Sequence, residues 1–124
     1  MAVKPEDIAD LIESGVKFSE EDLVATGRAA DGRVVFLEKG NSRAGLTHII
    51  ERHGAEFEQR GIGSADLPGF IINAVTKGKV VGYQGKGTGR PIYELEYNGS
   101  PQRVAVTVGN NGFVVGANPV GSGG

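Results

Sequence analysis

A chain of 124 residues with 39% hydrophobic and 23% charged side chains has a globular composition, long enough for one domain around one core and too apolar for a disordered tail. The absence of cysteine excludes a disulfide scaffold and cysteine-based zinc sites, and no apolar run approaches the ~20 residues of a membrane-spanning helix, so a soluble domain is expected. The formal net charge of −2 has the wrong sign for a nonspecific nucleic-acid binder, whose affinity comes from Lys and Arg displacing counterions.

Met1 to Asp7 lacks the charged-then-apolar pattern of a signal peptide, so the chain is expected not to direct its own export: it is cytoplasmic or part of something larger. Pro5 suits a first helical position, Ile8, Leu11 and Ile12 recur at helical spacing, and Gly15 stops a short helix. Leu23 to Arg28 and Arg33 to Leu37 flank Asp31-Gly32, the signature of a hairpin. From Ser42, which can cap, the set Leu46, Ile49, Ile50 and Phe57 follows one helical face to about Arg60. Leu67, Phe70, Ile71, Ala74 and Val75 define another helix, stopped at Gly78. The period then changes to two, and Lys79–Gln84, Arg90–Tyr97, Arg103–Val108 and Phe113–Ala117 read as four strands joined by Gly/Asn turns. Helices first and a meander last predict an α+β fold, N-terminal helices packed on a C-terminal four-stranded antiparallel sheet. One domain is expected over residues 1–120, with 121–124 as a flexible tail.

The strands also form the basic end of the chain. Residues 1–38 hold four basic against nine acidic side chains, residues 39–76 four against four, and residues 77–124 five against two, so the charge runs from −5 through 0 to +3. That gradient permits an RNA-facing C-terminal half, although solvated surface produces the same pattern. If Asn98-Gly99 is a two-residue turn, Tyr97 pairs with Ser100, Glu94 with Arg103, Ile92 with Ala105 and Arg90 with Thr107. Tyr93, Leu95, Val104 and Val106 then face the core, and Arg90, Thr107 and the Glu94–Arg103 pair face away. The last turn is Asn110-Asn111 or Asn111-Gly112; either register sends Phe113, Val115 and Ala117 inward and puts Asn118 on the Arg90/Thr107 side. Three hydrogen-bonding groups thus converge near one sheet end, a composition an ordinary solvated face shares.

His48 and His53 lie on the first long helix, five residues and about 140° apart, so they do not jointly hold a metal as the i, i+4 pair of a zinc helix does. His53 falls in the apolar stripe, four residues before Phe57, where a histidine is a core residue or a partly buried general acid or base. His48 stands off the stripe, a surface position. Gly85-Lys86-Gly87-Thr88-Gly89 lacks the spacing of a phosphate loop and precedes a strand, so it reads as a hairpin loop with Lys86 free to touch a phosphate.

The segments Val34 to His53, Gly78 to Tyr93 and Val104 to Pro119 carry a resemblance to a known family. Across about residues 16–120 the chain resembles the C-terminal toxin nuclease domains of filamentous-haemagglutinin-like contact-dependent growth inhibition proteins. That resemblance implies the barnase/EndoU/colicin/RelE-like architecture, cleavage of RNA and typically of transfer RNA (tRNA), and a cognate immunity protein. It further implies delivery as part of a larger secreted or surface-displayed protein, with action in the cytoplasm of a target bacterium. The family's grouping of His, Arg or Lys, and Thr or Ser about one phosphate would fall on His53 with His48, Arg90 and Thr107. Asn118 would donate hydrogen bonds, and Lys86, Lys79 and Arg43 would hold flanking phosphates. No metal or cofactor is expected, because a ribose 2′-OH supplies the nucleophile and His53 the proton transfer. A non-catalytic RNA- or protein-binding module and a DNase are the competing classes.

Overall fold

The computed structural model describes residues 2–85 and 89–121. Helix α1 (Pro5–Glu13) leads through a 3₁₀ turn at Glu20–Asp22 into a hairpin of β1 (Leu23–Arg28) and β2 (Val34–Glu38). Helices α2 (Leu46–Gln59) and α3 (Leu67–Lys77) follow, then β3 (Lys79–Gln84), β4 (Arg90–Tyr97), β5 (Ser100–Val108) and β6 (Val114–Val120). The last four strands form an antiparallel sheet in chain order, so the expected α+β architecture is observed. Ser122 to Gly124 of the expected tail lie outside the described residues. Among the described residues, no helix is long and apolar enough to cross a membrane.

Helix α3 is buried on more than one side because its apolar residues exceed a single stripe: Leu67, Phe70, Ile71, Ile72 and Ala74 are all core. It packs on β4 and β5 and also against the β1–β2 hairpin. Val104 and Val106 of β5, Ala117 of β6 and Ile49 and Phe57 of α2 complete that core. The expectation of one core misses a second cluster, in which Leu11, Val34 and Phe36 pack with Val16, Phe18, Leu23 and Phe113. Four consecutive residues of β2, Val34 to Leu37, are buried because the strand is sandwiched between the two clusters. Helix α1 is locked down by Asp7, 2% exposed, which accepts hydrogen bonds from the Thr26 hydroxyl at 2.8 Å and from Arg28 at 3.1 Å.

The β4–β5 register is the expected one, with Tyr97 opposite Ser100, Glu94 opposite Arg103 and Ile92 opposite Ala105. Asn98 and Gly99, at φ 51° and 82°, form the tight turn that sets it. Strand β6 departs from expectation. Thr107 pairs with Gly116 but Val108 pairs with Val114, so the ladder slips by one residue through a β-bulge around Val115. A one-residue slip exchanges faces: Val114 enters the main core in place of Val115, and Phe113 joins the second cluster. Beyond the bulge the predicted facing holds, with Ala117 opposite Val106 in the core and Asn118 opposite Ala105 on the outer side.

Helix α2 starts later than expected. Gly45, not Ser42, is the cap residue, at φ 89°. Its N–H donates to the Val115 carbonyl at 3.0 Å, and a Cβ on Gly45 would stand 2.9 Å from the Glu38 carbonyl oxygen, so only glycine fits this junction. At the other end Arg60 donates to the Val120 carbonyl at 2.8 Å. The helix is thereby pinned along edge strand β6 at both ends. Ile50, expected in the apolar stripe, is 37% exposed.

Candidate active site

The outer face of the four-stranded sheet divides into two ends. At one end Arg103 donates to Glu94 at 2.8 Å, and Lys79 stands opposite Glu94 in the β3–β4 ladder. The cations there share a neighbouring carboxylate.

At the other end β4 begins with Arg90, whose Nη1 donates to Asn118 Oδ1 at 2.7 Å. Arg90 thus reaches across β5 to β6. Ala105, between Ile92 and Asn118 in the ladder, is fully buried, and its methyl group leaves that bridge room. Asn118 is oriented by its own Nδ2, which donates to the Pro119 carbonyl at 3.3 Å. Among the described residues, no carboxylate forms an ion pair with Arg90; the ion pairs take up Arg28, His53 and Arg103. Arg90 and Thr107 line one cleft at this sheet end, together with Arg33, Pro91, Tyr93 and Val108.

His48 arrives on the same face from the helix side. Thr107 and Gly116 are cross-strand partners, so their side-chain directions coincide, and Gly116 fills its place with no side chain. The His48 ring occupies that space: Cδ2 and Nε2 lie 3.6 and 3.8 Å from the position a Gly116 Cβ would take. Because Gly45 docks α2 on the β6 edge, a residue one turn into the helix can hook over the edge strand. The other ring nitrogen, Nδ1, lies 2.9 Å from the Ser42 carbonyl. A carbonyl only accepts, so Nδ1 carries the proton and Nε2 of the neutral ring is a bare acceptor above the sheet.

His48, Arg90, Thr107 and Asn118 are therefore brought to one end of one face. His53 is not among them: its Nδ1 meets Glu56 Oε1 at 2.7 Å, an i, i+3 pair along the helix. Lys79 lies five residues along β3 from Gln84, the partner of Arg90, a separation of roughly 17 Å at about 3.4 Å per residue. Arg43 is exposed in the loop before α2, next to the Ser42 carbonyl that orients His48, and its N–H donates to Asn41 Oδ1 at 2.8 Å. Lys86 lies outside the described residues. Among the described residues, no three His, Asp or Glu side chains gather as a metal-ligand group would.

Three participants carry little signal in the sequence. Gly116 acts by lacking a side chain, Ser42 acts through its carbonyl, and Arg33 sits in a hairpin turn 57 residues before Arg90. His48 is a candidate in the sequence through the family resemblance, and its local cue is its place three residues after a glycine. No protein-family model and no curated protein matches the chain.

Proposed function

We propose that the chain is a ribonuclease that cleaves RNA, with transfer RNA as the expected substrate, by attack of a ribose 2′-OH on the adjacent phosphate. The observation that carries this reading is the pairing of His48 Nδ1 with the Ser42 carbonyl, which leaves Nε2 free as a base on the face where Arg90 is braced by Asn118. His48 takes the 2′-OH proton. The oxygen attacks phosphorus, the bond to the 5′-oxygen breaks, and that oxygen is protonated from solvent at the open sheet end. The remaining N–H groups of Arg90 face the phosphate as a planar fork, and the Thr107 hydroxyl donates to a second oxygen. Asn118 acts mainly by holding Arg90, and Arg43 meets a flanking phosphate. His53 is left as the helix-surface partner of Glu56, and the proton transfer falls to His48.

The resemblance to contact-dependent inhibition toxins supports the same chemistry and adds a biological setting. In that setting the domain travels as part of a larger secreted or surface protein, acts in the cytoplasm of a target bacterium, and is neutralised by an immunity protein covering the Arg90/Thr107 end. Incubation of the chain with total transfer RNA tests the reaction. Fragments ending in 2′,3′-cyclic phosphate are expected, unchanged by excess chelator and abolished by one 2′-deoxy nucleotide at the scissile position. Continued cutting of the deoxy substrate would refute the mechanism.

A further inference from the structure

The described residues pair six of the chain's eight aromatic side chains with one another: Phe18 with Phe36, Phe36 with Phe113, Phe57 with Phe70, and Phe70 with Tyr97. Tyr83 and Tyr93 remain. They are neighbours on the helix-side face of the sheet at the Arg90 end, since Val80 pairs with Tyr93 and Tyr83 with Pro91. On the same face Tyr97 is covered edge-on by Phe70 of α3. Tyr93 is only half-buried, and Tyr83 is 57% exposed. Burial holds the Tyr93 phenol above its ordinary range, with Tyr83 adding to that and Arg33 opposing it.

Tyr93, Arg33 and Pro91 line the cleft of about 420 Å³ that Arg90 and Thr107 also line, and Tyr83 stands beside it as the cross-strand partner of Pro91. Arg33, its fourth wall, is anchored by Nη1 donating to the Asn110 carbonyl at 2.9 Å, and among the described residues it has no carboxylate partner. Two phenol faces, a proline ring and a guanidinium plane suit a flat heteroaromatic ring, and two unneutralised arginines suit the phosphates on either side of it. A neutral peptide side chain would meet the aromatic surface but leave both cations without a partner.

We infer that the Arg33/Pro91/Tyr93 cleft, with Tyr83 at its rim opposite Pro91, is a base-stacking subsite, which holds the nucleobase next to the scissile phosphate of single-stranded RNA. The phosphate then lies at Arg90 on the sheet end while the base turns onto the helix-side face. This subsite rests on the ribonuclease reading for its place in the reaction. It accepts any base that can leave its own stack, so it selects loops and unpaired ends over duplex.

The test is anisotropy of a fluorescein-labelled, six-nucleotide single-stranded RNA carrying 2′-O-methyl groups, which block cleavage, with one position at a time made abasic. For the wild-type chain one abasic position is expected to weaken binding by about 5- to 150-fold, the range of base–aromatic stacking. Tyr83→Ala, an exposed substitution, is expected to weaken the intact strand similarly and to erase the penalty of that abasic position. Tyr83→Phe keeps wild-type behaviour. Arg33→Gln weakens every strand alike. Equal abasic penalties in wild type and Tyr83→Ala, or no penalty in either, would overturn the subsite. Coupling in a chain that cleaves no RNA would support the subsite and remove the reaction; cleavage without coupling would overturn the subsite and leave the reaction standing.

Discussion

The two ends of the outer sheet face share one ladder and differ in what surrounds their arginines. Arg103 is met by Glu94 across the strand, a carboxylate that also stands opposite Lys79. Arg90, on the same face, is met by a neutral amide that fixes its direction and leaves its charge intact. Near Arg103 the neighbouring base is the Glu94 carboxylate, already taken up by the ion pair, whereas the face near Arg90 receives His48 over the Gly116 backbone. An ion pair ends its own chemistry, while an amide-braced arginine beside an oriented imidazole is prepared for an external anion. The same contrast separates the histidines: His48 is aimed by a loop carbonyl, and His53 is held by a carboxylate of its own helix.

Substitutions at the Arg90 end should separate it most sharply from the Arg103 end. Arg90→Gln is expected to lower the cleavage rate by about 10²–10³-fold, the usual cost of removing one preorganised transition-state donor, with the thermal midpoint little moved. Thr107→Val should follow it at the lower end of that range. Gly116→Ala is the next step down. Its new methyl stands in ordinary contact distance of the ring, 3.6 Å from His48 Cδ2, so folding is tolerated while the approach to Nε2 is narrowed. A rate loss of up to about 10²-fold is expected, the scale of a 1 Å misplacement. Full activity in a folded Gly116→Ala protein would show that nothing reacts above that residue. Arg103→Gln should change the rate least and stability by about 0–1 kcal/mol, as partly exposed ion pairs do; a loss like that of Arg90→Gln would erase the distinction between the ends.

Much of this sheet is legible in the sequence because two-residue turns and period-two patterning are local signals. The bounds of β3 and β4 follow from period-two patterning between glycine turns, and the Glu94–Arg103 and Ile92–Ala105 pairings follow from Asn98-Gly99. The bulge in β6 is not legible, since it answers a distant requirement: the Val115 carbonyl must meet the Gly45 N–H, and Phe113 must reach Phe36 across the hairpin. The position of His48 is hidden for the same reason. Helical periodicity marks it as off the core stripe, which is correct, but only the docking of α2 on an edge strand turns an off-stripe residue toward the far side of the sheet. The second core around Phe36 escapes notice because a run of four apolar residues does not say that both of its faces find partners. Arg90, Thr107 and Asn118 are legible as a group, since strand parity alone assigns a face.

The claim that the Arg90 end is a ribonuclease site with His48 as its base is tested most directly by measuring transfer-RNA cleavage rates for His48→Gln and His53→Gln beside their thermal midpoints. A loss of roughly 10²–10⁴-fold is predicted for His48→Gln, as for a general base, and a change within a few-fold for His53→Gln, both folded. A folded His48→Gln chain cutting at the wild-type rate, or a loss confined to His53→Gln, would contradict the account.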